Sequence, residues 1–105
     1  MSDKFENISV VKKSNVFFDG KCVSHSVLFP NGKRKTVGVI LPDSKLTFNV
    51  GVAEVMEITS GSCEVKIAGE PAFKTYKPGM QFSVPANSSF EIHAQDTVDY
   101  VCSFE

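Results

Sequence analysis

Tryptophan is absent from this 105-residue chain, arginine occurs once, histidine twice and cysteine three times. Each scarcity closes off a class of function. Cys22, Cys63 and Cys102 are odd in number, widely spaced and without a CxxC pair, which argues against a disulfide framework and against a zinc site. Free thiols fit a reducing compartment. No run approaches the ~18 consecutive apolar residues that a membrane span needs, and the opening MSDKFENISVVKK lacks the apolar segment of a secretory signal. A cytoplasmic location without membrane contact is expected. The formal net charge of -1 provides no field for a polyanion, so a nucleic-acid partner is disfavoured.

What is present is a globular composition, 42% hydrophobic and 22% charged, with nine Phe. The length suits one domain with a single core. Short apolar or alternating runs are divided by turn signals, and no helical period persists. Strands are expected at Lys21 to Phe29, Thr36 to Leu41, Lys45 to Val50, Ala53 to Thr59, Ser62 to Ile67, Phe73 to Tyr76, Gln81 to Val84, Ser89 to Ala94 and Thr97 to Phe104. Pro30-Asn31-Gly32 and Pro42-Asp43-Ser44 are turns, the Asn-Gly pair being suited to positive φ in a hairpin. Many short, evenly punctuated strands predict an all-β sandwich or barrel. Residues 2–14 are polar with a weak apolar alternation, readable as a frayed arm or as an extra edge strand.

Two glycine-anchored spacings narrow the architecture. Glu54 is followed by six residues and Gly61, and Gly79 by five residues and Pro85. This resembles the two motifs of the cupin family, and implies a single-domain cupin-like β-barrel of jelly-roll type with about 9–10 short antiparallel strands. Residues 1–15 would be an N-terminal arm and residues 16–105 the barrel. Cupin motifs usually carry metal-binding histidines, but here the corresponding places fall among Thr47, Phe48, Asn49 and Val50 and at Phe90. His25 and His93 lie at neither motif, and His93 is expected on the face opposite Phe90. No metal is therefore expected, since a first-row ion needs three or four convergent ligands.

Strand alternation puts Glu54, Met56 and Ile58 on one face, and Val98, Tyr100, Cys102 and Phe104 in another stripe. A carboxylate facing a barrel interior is costly unless it is paired, so Glu54 is either a satisfied structural residue or a functional one. For the aromatic stripe, packing competes with use as a pocket wall. Arg34, between Lys33 and Lys35 beside the Asn31-Gly32 turn, has the planar fork that suits a phosphate or carboxylate, although a charged hairpin tip is also an ordinary solvated loop.

A closer resemblance runs over residues 16–104. The strings Phe17-Phe18-Asp19-Gly20-Lys21-Cys22-Val23-Ser24, Thr36-Val37-Gly38-Val39-Ile40, Glu54 to Gly61, Gly79 to Phe90 and Asp99-Tyr100-Val101-Cys102 are similar to the bacterial pyrimidine/purine nucleoside phosphorylases of the small cupin type. The resemblance implies a broad-specificity pentosyltransferase, independent of metal and of any cofactor, that uses inorganic phosphate as co-substrate and acts as a homodimer. Arg34 would hold phosphate, and Glu54 would act catalytically on ribose or its developing cation. Phe48, Met56, Phe82, Phe90 and Tyr100 would form the substrate wall. The residues leave open Tyr100, Glu57 or water as proton donor to the departing base. They also leave open a non-catalytic cupin module that binds a sugar, a nucleotide or another small metabolite.

Overall fold

The computed structural model describes residues 3–105. The chain is built almost entirely of strands: β1 (Ser9–Val10), β2 (Asn15–Phe17), β3 (Cys22–Leu28), β4 (Arg34–Ile40), β5 (Ser44–Val50), β6 (Glu54–Ser60), β7 (Cys63–Ile67), β8 (Lys74–Tyr76), β9 (Gln81–Val84), β10 (Ser88–Ala94) and β11 (Val98–Phe104). Among the described residues, a single 3-10 turn, Phe18–Gly20, interrupts them. Each of the nine expected strands is present, with ends shifted by at most two residues. The short β1 lies in the polar N-terminal stretch and β2 just beyond it, both too short for an alternation to reveal edge pairing. Both join β3, Ser9 opposite Leu28 and Asn15 opposite Ser24.

The strands form two sheets. A seven-stranded sheet runs β1-β3-β4-β11-β6-β9, with β2 also on β3, and a four-stranded sheet runs β5-β10-β7-β8. The cupin-like fold is therefore a two-sheet sandwich of jelly-roll kind, not a barrel closed by a continuous hydrogen-bonded ladder. Apolar side chains from both inner faces fill the space between the layers, and such packing holds sheets about 10 Å apart, beyond hydrogen-bond reach. Ile40, Ile58, Ile92, Val65, Val84 and Val98 are fully buried there, each worth about 1.5–3 kcal/mol of transfer free energy.

Two turns set the frame of the site. Between β3 and β4, Gly32 N–H donates to Phe29 O at 3.0 Å and Phe29 N–H to Lys33 O at 2.9 Å. Only Gly32 of the Asn-Gly pair is left-handed, at φ +84°, so this is a three-residue loop and not the two-residue turn that Asn-Gly most often makes. It delivers Arg34 to the first position of β4. Gly61, which ends the Glu54 spacing, is needed sterically, because a Cβ there would strike the Thr97 carbonyl.

Candidate active site

Cross-strand register arranges the inner face of the large sheet in rows. Phe104 pairs with Glu54, and Glu54 with Val84; Thr36 pairs with Cys102, and Cys102 with Met56; Asn15, Ser24, Gly38, Tyr100 and Ile58 follow one another across five strands. On the opposite layer, Phe48 of β5 pairs directly with Phe90 of β10. Between these layers opens a cavity of about 280 Å³, whose wall includes Arg34, Glu54, Phe48, Met56, Phe90 and Tyr100. Phe82 does not reach it. It is buried behind Phe90, edge-on at 5.5 Å, and against Tyr76 at 4.9 Å, because β9 lies at the sheet edge where the core closes.

The polar groups are few and well separated in role. The Arg34 guanidinium lies 4.3 Å above the centre of the Phe104 ring. No carboxylate among the described residues forms an ion pair with it, so a cation stands at the cavity held by an aromatic face alone. Glu54 is half-buried. Burial pushes its carboxyl above the ordinary carboxylate range, partly offset by a hydrogen bond from Cys102. The Cys102 thiol is pushed up to about 12, first by burial and then by the Glu54 charge, while Thr36 donates to it. It therefore remains a thiol that donates to Glu54.

Tyr100 is placed differently from a free proton donor. Its hydroxyl is 3.3 Å from Cys22 Sγ, and burial raises it well above the usual phenol range. Either member of that buried pair can donate, and the contact holds the hydroxyl against sulfur. Glu57, another candidate for that role, is exposed on the outer face of the sheet and away from this cavity. The outer face has a larger concavity of about 730 Å³, lined by Val23, Val37, Val39 and Val101 with His25, Glu57 and Asp99. It shares only Tyr100 with the inner cavity. The inner one holds the arginine together with Glu54.

The histidines lie elsewhere. His93 Nε2 is 2.6 Å from Glu91 Oε2, and its ring is tilted 4.5 Å from Phe73, on the face of β10 opposite Phe90. His25 Nδ1 is 3.1 Å from Val11 O. Among the described residues, no group of three or more His, Cys, Asp or Glu side chains converges as a metal-ligand set. Phe48 and Phe90, whose rings are stacked at 5.3 Å with an 18° interplanar angle, stand in the cavity wall instead.

Phe17 and Phe18 extend this aromatic wall, edge-on to Phe48 at 6.1 and 5.1 Å. Phe18 is held at φ +53°, a strained conformation for a bulky residue that its ring contact helps to offset. Asn15, Phe17, Ser24 and Thr36 also line the cavity and were not visible as site residues. The first two belong to a strand of three residues, and Ser24 and Thr36 lie in runs whose alternation shows a buried face without saying what it borders.

An all-β two-sheet sandwich with its cavity between the layers at the Glu54 motif is a cupin-like fold. The fold is similar to that of an RmlC-like cupin from Shewanella frigidimarina NCIMB 400, with a TM-score of 0.73 at 14% identity over 95% of this chain and 90% of that one. Within that class, residues 12–104 match the family model for pyrimidine/purine nucleoside phosphorylase. A pyrimidine/purine nucleoside phosphorylase of Cupriavidus taiwanensis is 63% identical over 102 residues, 97% of this chain and 96% of that protein. The crystal structure of a protein of unknown function from Acinetobacter sp. ADP1 matches with a TM-score of 0.96 at 48% identity, over 99% of this chain and 100% of that one. The chain belongs to the pyrimidine/purine nucleoside phosphorylase family.

Proposed function

We propose that the protein is a broad-specificity, metal-independent pentosyltransferase that splits purine and pyrimidine nucleosides with inorganic phosphate, giving free base and ribose 1-phosphate without a cofactor. The observation that carries this reading is the meeting, in one cavity, of Arg34 without an ion-pair partner, the half-buried Glu54 and the stacked pair Phe48 and Phe90. Arg34 binds phosphate through its planar fork. A phosphate oxygen forms the bond to the anomeric carbon as the bond from that carbon to the base nitrogen breaks. The sugar passes through an oxocarbenium-like state of the sort met in glycoside hydrolysis. Glu54 stabilises that cation or holds the ribose hydroxyls, and the Cys102 thiol orients it.

The nucleophile is already anionic, so the protein has to hold two substrates in line and stabilise the separating charges. The proton lost by phosphate ends on the departing base nitrogen, through water, because the Tyr100 hydroxyl is held against Cys22. Phe48, Phe90 and Met56 offer the base a surface that discriminates weakly among ring systems. Three free, buried thiols suit a cytoplasmic setting. Two copies pair in the same reading: the outer sheet face carries Val23, Val37, Val39 and Val101 around its concavity, apolar surface that a second copy would cover. Light scattering on the purified protein tests that part.

The main test is chemical. Uridine, adenosine and inosine should each release free base only when phosphate is supplied, with ribose 1-phosphate as the other product. Release without phosphate would indicate a hydrolase, and binding without release a non-catalytic module.

A further inference from the structure

Asn15 begins β2, where the N-terminal stretch joins the large sheet, and its half-buried side chain is part of the cavity wall. Its Nδ2 donates to Ser24 Oγ at 3.2 Å and to Ser26 Oγ at 3.4 Å. Both amide hydrogens are thereby used. The structure turns Nδ2, and not Oδ1, toward the two serine hydroxyls. Among the described residues, the carboxamide oxygen is thus left at the cavity wall without a protein partner.

The position of that acceptor is informative. Asn15 and Phe17 are two apart on one strand and share a face. Phe17 is edge-on to Phe48, which is stacked on Phe90. The free acceptor therefore stands on the rim of the aromatic wall. At this rim the bases share one feature. Uracil and thymine present N3–H on the pairing edge, hypoxanthine and guanine N1–H, and adenine and cytosine an exocyclic amino group. A lone acceptor can meet all of them, whereas a fixed donor would select among them.

Resting on the phosphorylase reading for the identity of the ligand, we infer that Asn15 Oδ1 accepts a hydrogen bond from the pairing-edge N–H of the nucleobase, making Asn15 the base-recognition residue of this cavity. The breadth of accepted bases then has a polar cause as well as an apolar one. A site built around an acceptor should also reject a base that has lost its donor, because the acceptor is then left unpaired.

Calorimetric titration of the purified protein with uridine and with N3-methyluridine tests this, alongside phosphorolysis of both. The wild type should bind uridine about tenfold more tightly, the worth of one hydrogen bond at a desolvated site. Asn15→Leu, close in size but without an acceptor, should bind both nucleosides equally and at the weaker level. Asn15→Ser, which keeps a hydroxyl near Ser24 and withdraws the acceptor, should do the same. Equal binding by the wild type, or discrimination that persists in a folded Asn15→Leu, overturns the assignment, as does failure of both nucleosides to bind. Discriminating binding without phosphorolysis leaves the Asn15 assignment standing and overturns the phosphorylase reading. Phosphorolysis without discrimination does the reverse.

Discussion

Gly38 lies directly beneath the ring of Tyr100: a Cβ on Gly38 would come within 2.6 Å of Tyr100 Cζ and 2.7 Å of its hydroxyl oxygen. The two residues are register partners on β4 and β11. The missing side chain lets the phenol lie flat across β4 and reach Cys22 on β3. An aromatic ring laid over a glycine in the neighbouring strand also restores the packing that glycine lacks.

Gly38→Ala should therefore destabilise the protein by about 1–3 kcal/mol, the usual cost of overpacking a well-filled core. The expected signs are a lower melting temperature and loss of the contact between Tyr100 and Cys22. Combined with Tyr100→Leu, the same substitution should cost much less, because the clash has gone. Additive losses in the double variant would show that the ring and the glycine are not coupled.

Arg34 gives a prediction of another kind, since it is exposed and contributes little packing beyond its contact with Phe104. Arg34→Ala should leave the melting temperature nearly unchanged and raise KM for phosphate by roughly 10- to 100-fold, the range for one charge-assisted contact. KM for nucleoside should move far less. Arg34→Lys keeps the charge but loses the fork, and should fall between the two. Equal effects on both substrates would remove Arg34 from the phosphate site.

How much of this was legible beforehand depends on which physical signal each residue carries. Glu54, Met56 and Ile58 share a face because strand alternation is local, and the row Val98, Tyr100 and Cys102 is buried for the same reason. Arg34 stands out by being alone. Phe82 shows the limit of such reasoning, since alternation places it inward but cannot say whether inward means core or cavity. Asn15 and Phe17 were hidden for the opposite reason. Their strand is three residues long and is held by lateral pairing to β3 and by contacts with Ser24, Ser26 and Phe48, partners set by the register of the sheet and not by any local pattern.

Glu54 couples activity to stability in opposite directions. Its carboxyl is raised chiefly by burial, so the folded state holds its proton more tightly than the unfolded chain does. Stability from this group is therefore greatest at low pH and declines as pH rises from the unfolded value through the raised folded one. Glu54→Gln removes that penalty and should melt at a higher temperature than wild type at neutral pH, the difference vanishing in acid. Turnover should fall at the same time, because the negative charge opposite the developing cation is gone. In the wild type, the acid limb of kcat against pH should lie above the ordinary carboxylate range. A variant with full turnover would make Glu54 a structural residue, and one of lower stability would contradict the burial cost.

The thiols make a final prediction that separates burial from reactivity. Cys22, Cys63 and Cys102 are all buried and free. Desolvation raises all three, Cys63 to about 11 and Cys102 to about 12. The thiolate is the nucleophile, and at pH 8 almost none is present at these positions. In the native protein none of the three should react with a disulfide reagent such as DTNB at a rate approaching that of free cysteine, whereas all three should react promptly in denaturant. Cys102→Ser keeps a donor toward Glu54 and should preserve the acid limb of the pH profile, while Cys102→Ala should move that limb to higher pH, since the hydrogen bond that lowers the Glu54 carboxyl is lost. Rapid labelling of native Cys102 would show that the cavity wall opens there, and an unshifted limb in Cys102→Ala would show that the thiol does not hold Glu54.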